Sequence, residues 1–313
     1  MPNPNTDYPP ADTDEPEGDG DCACVLVINA NDPTGAGGLT ADILAVACVG
    51  AHPLPVVTGV YRKDTSETLN YTALDDEAVA EQARAVLEDI PVKAFKIGFL
   101  GSPETVSSIA EIASDYDETP LIAYMSALAW WDEASVDNYL DAYTELLLPQ
   151  VTVLVGNHST LWRWLLPDWS GQKSPSPRDI ARAAANHGVP YTLITGIAAP
   201  DQFIDNVLAT PESVLYSQKF ERFEATFEGA GETLSATLTA LLASGADLVE
   251  AVKEALVFLD RSLDSGFRPG MGHVIPDRLF WASPEDDELP EPLTDEERSI
   301  LNTLEMPASS TKH

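Results

Sequence analysis

The sequence has few cysteines and no long apolar run. Its three cysteines, Cys22, Cys24 and Cys48, make no disulfide framework in a chain of 313 residues, and such usage is typical of a reducing compartment. No segment approaches the roughly 18 consecutive apolar residues that a membrane-spanning helix needs. The opening stretch "MPNPNTDYPPADTDEPEGDGD" lacks the basic and apolar regions of a signal peptide. We therefore expect a cytoplasmic protein.

Basic residues are also scarce. The chain has 17 Lys and Arg against 51 Asp and Glu, which gives a formal net charge of −34. A surface of this charge repels the phosphates of nucleic acids and the headgroups of anionic lipids, so we expect no nucleic-acid partner and no membrane partner. Because salt screens the self-repulsion of such a surface, a salt-rich cytoplasm is a further hypothesis.

Apolar residues make up 44% of the chain, which is enough to bury the core of one large domain. Proline and acidic residues dominate both ends. We predict a disordered acidic leader over residues 1–22, one domain over residues 23–281, and an acidic tail over residues 282–313 with a short helix around Glu297 to Leu304.

Short β-branched runs alternate with amphipathic stretches along the central region, which predicts a mainly parallel sheet with helices on its faces. "CVLVINA" is the first predicted strand and "GLTADILAVACVGA" its helix. Further strands are predicted at "PLPVVTGV", "VKAFKIGF", "PLIAYM", "VTVLVG" and "YTLITG", and an antiparallel pair at "ESVLYSQKFERFEATFE". Ligands of open α/β sheets bind at the carboxyl ends of the strands, so functional residues are expected directly after these runs.

Two glycine-rich turns lead into predicted helices. "NANDPTGAGGLTADI" follows the first strand, and "GAGETLSATLTALLASG" begins at Gly229 and places Glu232 at the mouth of a helix. Glycines let the backbone approach a ligand closely, and a helix N-terminus offers unpaired N–H groups to an anion. The spacing of the first turn matches neither a dinucleotide fingerprint nor a P-loop.

Four segments, in order, resemble the hydroxymethylpyrimidine/phosphomethylpyrimidine kinases of thiamine biosynthesis, within the ribokinase superfamily: "NDPTGAGGLTADI", "VKAFKIGFLGS", "GAGETLSATLTALLASG" and "GMGHVIPDRL". The resemblance implies a ribokinase-like three-layer α/β/α sandwich with a central, mainly parallel sheet. It also implies ATP-dependent phosphorylation of hydroxymethylpyrimidine and then of its monophosphate, with ATP and Mg²⁺ as cofactors, in a homodimer.

The resemblance also implies roles for individual residues. The catalytic group would comprise the base Glu232 and the amides of the turn before it, Gly229, Ala230 and Gly231. The nucleotide groove would be lined by Asn157, Thr195 and Gly196. The substrate pocket would be lined by Ala30, Asp32, Gly35, Lys63 and Phe99.

Several positions depart from the family pattern. At the position of Glu232, the sugar and pyridoxal kinases of the superfamily have Asp and the pyrimidine kinases have Cys. The charge of Glu232 would also simply favour the first turn of a helix. Tyr124 and Thr160 stand where the family has carboxylates, so no metal-binding residue is assigned. Lys63 replaces a glutamine that reads the ring; an ammonium group only donates, which suits an anionic ligand or a surface pair with Asp64.

Other nearby residues leave alternatives open. Asp132 and Glu133 could replace the missing carboxylates. Trp130 and Trp131 could stack on an aromatic ligand, or pack on the core or on a second subunit. His158 has no metal-binding partner in the sequence and is interpreted as an exposed or a satisfied side chain.

Two functions are consistent with these patterns. The resemblance along the whole domain favours a pyrimidine kinase. The changes at catalytic and metal positions favour a binding or regulatory protein that keeps the fold, and a pyrimidine or nucleotide pocket, without catalysis.

Overall fold

The structure is a computed structural model that describes residues 22–282. The predicted leader up to residue 21 and the predicted helix around Glu297 to Leu304 lie outside the described residues. Described residues up to Arg278 belong to one compact unit. In the second unit, the structure describes a short 3-10 turn, Phe280–Ala282. No helix in the described part of the chain is both long enough and apolar enough to cross a bilayer.

Within residues 22–282, nine strands form one sheet. They are β1 (Cys24–Asn31), β2 (His52–Lys63), β3 (Thr68–Ala73), β4 (Val92–Ile97), β5 (Leu121–Met125), β6 (Val153–Asn157), β7 (Tyr191–Ala198), β8 (Phe203–Ala209) and β9 (Val214–Glu221). Their order across the sheet is β3-β2-β1-β4-β5-β6-β7-β8-β9. The six strands from β2 to β7 in this order are parallel, whereas β3, β8 and β9 pair antiparallel at the edges.

The described part of the chain has eight α-helices, of which six lie between strands and two follow β9. They are α1 (Gly38–Cys48), α2 (Asp76–Leu87), α3 (Pro103–Ser114), α4 (Glu133–Ala142), α5 (His158–Leu165), α6 (Pro177–Ala185), α7 (Ala230–Ala243) and α8 (Leu248–Asp264). Polar side chains start most of them. For example, Ser176 and Asp179 form a reciprocal capping box at the start of α6, which satisfies N–H groups that have no partner inside the helix.

Helices cover both faces of the sheet. Along β1, Leu26 and Ile28 pack into a core shared with α2 to α6, whereas Val25 and Val27 pack into a core shared with α1 and α7. Alternate strand residues point to opposite faces, so a strand buried on both sides has to be apolar throughout. This requirement explains the uninterrupted apolar runs of the central strands, and it leaves polar side chains for the strand ends.

The predicted parallel strands are confirmed, but the prediction for the antiparallel edge was wrong. "ESVLYSQKFERFEATFE" supplies only β9, and the antiparallel partner of β9 is β8, which precedes that stretch. β8 follows β7 through a hairpin in which Asp201 and Gln202 have positive φ angles of 59° and 63°. Hairpin turns of this kind usually contain Asn or Gly, so the usual sequence signal is absent here.

Candidate active site

A cavity of about 480 Å³ lies at the carboxyl ends of the parallel strands. Its lining comes from the turn after β1, the end of β2 and its hairpin, the loop after β5, and the start of α7. Its lining includes four charged side chains that come from different segments: Asp32, Lys63, Glu228 and Glu232. This position in the fold is where open α/β sheets bind their ligands.

The carboxylate of Asp32 shapes the first glycine turn. Its Oδ1 accepts hydrogen bonds from the backbone N–H (2.9 Å) and the hydroxyl (2.8 Å) of Thr34, and its Oδ2 accepts one from Gly37 N–H (2.9 Å). Gly38 begins α1 at a φ of 57°, and a Cβ there would collide with the carbonyl oxygen of Ala30. Asp32 therefore lines the cavity as the residue that fixes the turn.

Arg278 holds the two glycine turns side by side. This side chain is only 3% exposed, and its Nη2 donates to the carbonyl of Ala36 in the first turn at 2.6 Å. Its Nε donates to Thr233 Oγ1 in α7 at 2.9 Å. The φ of 86° at Gly229 lets the second turn lie against Ala36, because a Cβ at Gly229 would collide with the carbonyl of Ala36. Arg278 lies in "GMGHVIPDRL", but the sequence patterns did not single it out.

Glu232 lies in the first turn of α7 and faces the first glycine turn. A Cβ added at Gly37 would stand 3.4 Å from Glu232 Oε1. Burial raises the pKa of Glu232 to about 7; the charges of Asp42 and Glu228 also raise it, and Lys96 opposes them. A carboxylate that titrates near neutral pH can both accept and return a proton, which is the property required of a general base.

A buried ion pair lies behind Glu232. Lys96 Nζ is 2.7 Å from Asp42 Oδ1, and both side chains are 0% exposed. Asn29 donates to Asp42 Oδ2 at 2.7 Å, while its own oxygen accepts from the backbone N–H groups of Ala30 and Phe99. The pKa of Asp42 is raised by burial, which the charge of Lys96 opposes. A lysine inside the apolar strand "VKAFKIGF" is the signal that would have revealed this pair.

The structure corrects the interpretation of Lys63 as a surface lysine. Its side chain is only 7% exposed, and its Nζ lies 2.6 Å from Glu228 Oε1 and 3.4 Å from Asp32 Oδ2. Asp64, the pairing partner considered from the sequence, accepts hydrogen bonds from the backbone N–H groups of Ser66 and Glu67 instead. In the fold, the end of β2 lies against the segment before α7, so Lys63 contacts Glu228. No local sequence pattern predicts this contact.

Tyr124 occupies the space over the start of α7. A Cβ at Gly231 would collide with the phenol ring and hydroxyl of Tyr124, so only glycine permits this contact. Burial, and the nearby charges of Glu232, Glu228 and Asp42, raise the pKa of Tyr124 well above its ordinary value. The phenol therefore stays neutral, and its hydroxyl can donate a hydrogen bond to a ligand at this helix end.

Aromatic side chains form one wall of the cavity. Tyr61 and Trp130 line it, and Trp130 stacks on Trp131 with ring centroids 5.8 Å apart. Phe99 does not line the cavity, because it packs behind these rings, 5.9 Å from Tyr61 and 5.6 Å from Trp130. Ala30, also predicted to contact substrate, is fully buried in β1. Both residues support the wall and turn from behind.

The remaining substrate residue and the predicted nucleotide residues also do not line this cavity. Gly35 offers its carbonyl oxygen to Arg278 at 3.5 Å. Asn157 caps α5 by accepting from Ser159 N–H at 3.0 Å, and a Cβ at Gly196 would collide with its amide nitrogen. Thr195, beside them on β7, donates to the carbonyl of Gly156 at 3.4 Å. The structure thus brings Asn157, Thr195 and Gly196 together at the ends of β6 and β7.

The alternatives for a metal site gain no support from the geometry. Asp132 caps α4 by accepting from Ser135 N–H, and the ring of His158 makes a 2.8 Å hydrogen bond with the carbonyl of Pro175. Glu133 and Thr160 line a second cavity of about 390 Å³, which shares residues of the loop after β5 with the first. Within residues 22–282 there is no group of three or more His, Cys, Asp or Glu side chains arranged to hold a metal ion.

The sequence of this chain is similar to known kinases. A model of the phosphomethylpyrimidine kinase family matches residues 32–277. The hydroxymethylpyrimidine/phosphomethylpyrimidine kinase of Streptomyces coelicolor is 28% identical over 262 residues, which cover 82% of this chain and 94% of that relative. The family match spans both glycine turns and all the charged residues of the cavity described above.

Solved structures show the same fold. The pyridoxal kinase from Staphylococcus aureus, in complex with AMP-PCP and pyridoxal, has a TM-score of 0.73 at 21% identity, covering 84% of this chain and 96% of its own. The phosphomethylpyrimidine kinase from Clostridium difficile has a TM-score of 0.61 at 22% identity, covering 75% and 98%. The predicted ribokinase-like three-layer fold is confirmed.

Proposed function

Since this chain belongs to the phosphomethylpyrimidine kinase family, we propose that it uses ATP to phosphorylate hydroxymethylpyrimidine and its monophosphate in thiamine biosynthesis. The observation that supports this proposal most directly is Glu232, a carboxylate with a pKa of about 7 in a cavity between two glycine turns. A volume of about 480 Å³ falls within the range of sites for small molecules.

Phosphoryl transfer needs a base, donors for the transferred phosphoryl group and a surface that holds the substrate ring, and different parts of the cavity would supply them. Ionised Glu232 accepts the proton of the substrate hydroxyl. At the same time the oxygen of that hydroxyl forms a bond to the γ-phosphorus of ATP, and the bond between the γ-phosphorus and ADP breaks. The amides of the turn formed by Gly229, Ala230 and Gly231 lie at the positive end of α7 and would stabilise the transferred phosphoryl group. Tyr61 and Trp130 would hold the ring.

Nucleotide and metal complete the proposal. We assign the nucleotide groove to Asn157, Thr195 and Gly196, and their proximity at the ends of β6 and β7 supports this. Magnesium usually takes one or two carboxylates together with phosphate oxygens and water. Among the cavity residues, Glu228 is the carboxylate beside α7 that fits this requirement while Glu232 stays free to act as the base. When bound, the ion would neutralise charge on the phosphate oxygens.

A second candidate function rests on Tyr124. Because the phenol covers Gly231, it narrows the space that phosphate groups need at the start of α7. A protein that binds the pyrimidine but no nucleotide would serve as a sensor or carrier. The two candidates differ in one observable property, which is binding of Mg·ATP.

Titration calorimetry with hydroxymethylpyrimidine and with Mg·ATP, followed by a phosphate-transfer assay on the same sample, tests the proposal. We expect binding of both ligands and turnover. Glu232→Gln should retain pyrimidine binding but lose about 10²- to 10⁴-fold in turnover, the usual contribution of a general base. The matched control is Glu224→Gln, the same change at an exposed position outside the cavity. Pyrimidine binding without nucleotide binding would favour the sensor, and full turnover in Glu232→Gln would exclude this base.

We further propose that the chain works in the cytoplasm as a homodimer with one catalytic domain over residues 23–281. The scarcity of cysteine supports the compartment. The resemblance to the family supports the dimer, which light scattering of the purified protein would check.

A further inference from the structure

The charges that line the active-site cavity are strongly unbalanced. Five acidic side chains line it: Asp32, Asp64, Glu67, Glu228 and Glu232, the last partly protonated at neutral pH. Against them stand the ammonium group of Lys63 and the ring of His273, which lies 3.7 Å from Glu228 Oε2. At the low effective dielectric of a cavity, such a set raises the energy of any anion that enters. A phosphomonoester, with a charge of about −1.5 to −2 at neutral pH, is strongly affected.

Lys63 is not available to compensate for this field. Its ammonium is 2.6 Å from Glu228 Oε1 and 3.4 Å from Asp32 Oδ2, and it also lies 5.8 Å from the centroid of the Tyr61 ring. A phosphate group would have to compete with Glu228 for this charge. The carboxylate of Asp32 accepts hydrogen bonds from the backbone of its own turn, so Glu228 is the main partner that neutralises the ammonium of Lys63.

Two further buried cations lie near the cavity, and neither is available: Lys96 is paired with Asp42, and Arg278 is held by the two glycine turns. The Nη2 of Arg278 donates to the carbonyl of Ala36 and its Nε donates to Thr233 Oγ1. Releasing it would separate the two glycine turns that it holds together, and would leave buried acceptors without a donor.

We propose that Glu228 is a specificity-determining residue, which neutralises Lys63 and so makes the cavity prefer a neutral or positively charged heteroaromatic alcohol to the corresponding phosphomonoester. The inference rests on the proposed function and states which of the two family substrates this chain binds better. The rings of Tyr61 and Trp130 also favour a positively charged ligand over the phosphomonoester, because aromatic faces attract cationic groups.

The experiment compares binding of hydroxymethylpyrimidine and of its monophosphate, by titration calorimetry without nucleotide at fixed ionic strength. Wild-type protein should bind the alcohol at least about tenfold more tightly than the monophosphate. Glu228→Gln should shift the ratio of the two affinities toward the monophosphate by about tenfold, since it frees Lys63 and removes a carboxylate. Adding Lys63→Gln to that variant should abolish the shift.

The matched control is Glu224→Gln, which removes the same charge from an exposed position four residues earlier. It should change the affinity ratio by less than about twofold. The wild-type ratio needs no variant, so the inference stays testable even where a substitution disturbs the fold.

Two results would overturn the inference alone. One is wild-type protein that phosphorylates the alcohol yet binds the monophosphate equally well or better. The other is a shift of the affinity ratio that is equal in Glu228→Gln and Glu224→Gln. Wild-type protein that binds neither pyrimidine would overturn the proposed function together with this inference. Turnover of the alcohol therefore separates the two failures.

Discussion

The two glycine turns of the cavity each hold a carboxylate, and they hold it differently. In the first turn, both oxygens of Asp32 accept hydrogen bonds from neighbouring backbone or hydroxyl groups, so the charge stabilises the turn. In the second, burial and two neighbouring acids raise the pKa of Glu232 to about 7. Residues of the same chemical class thus differ in environment: the carboxylate of Asp32 stabilises its turn, and that of Glu232 suits the proton transfer we propose, because the local donors differ.

The largest expected effect tests the proton-transfer role of Glu232. The base has to be ionised, so the rate of phosphate transfer should fall about tenfold per pH unit below pH 7 and level off above it. A pH profile of kcat/KM measures this, with Glu224→Gln as the control that should keep the same profile. A profile without an inflection between pH 6 and 8, roughly one unit on either side of the titration, would assign proton transfer to another group.

The next effect concerns the ion pair behind Glu232. Lys96→Met leaves Asp42 buried without its cation, so we expect a loss of about 3 kcal/mol in the free energy of unfolding, measured by urea denaturation. The pKa of Glu232 should also rise further, because Lys96 opposes its shift. Lys93→Met changes an exposed lysine of the same strand and should cost far less. Equal losses in the two variants would contradict the role of the pair.

Glu232 should also reduce the stability of the fold at high pH. Its folded pKa of about 7 lies above the ordinary 4.5, so between these values the unfolded chain releases a proton that the folded chain retains. Stability contributed by this group is therefore lost as pH rises through that window, and Glu232→Gln should be more stable than wild type at pH 8 by roughly 3 kcal/mol. Thermal unfolding at pH 4 and pH 8 checks this; a difference of the same size at both would refute it.

The smallest effect is expected for Asp32→Asn. An amide accepts through one oxygen, so either Thr34 or Gly37 loses its acceptor, and about 2 kcal/mol of stability should be lost, measured by urea denaturation. Turnover per folded molecule should fall less than in Glu232→Gln. If Asp32→Asn lost as much turnover as Glu232→Gln while staying folded, the distinction between the two turns would be wrong.

The sequence predicted the parts of this site that depend on local pattern. Both glycine turns, the helix that begins beside Glu232, and the central parallel strands follow from runs of adjacent residues. Lys63 shows where such reasoning stops, because its partner Glu228 is 165 residues away and only the fold brings them together. Phe99 shows a second limit, because strand position alone did not reveal that Tyr61 and Trp130 lie between it and the cavity.

The cavity depends on Arg278, a residue that is synthesised long after the first glycine turn. This residue joins the first glycine turn to α7 from a position 242 residues after Ala36. A nascent chain that has not yet reached Arg278 lacks the group that holds the two turns together, whatever the state of its sheet. Contacts of such long range form late and slowly in folding. A ribosome-bound or truncated chain that lacks Arg278 should therefore hold no competent cavity.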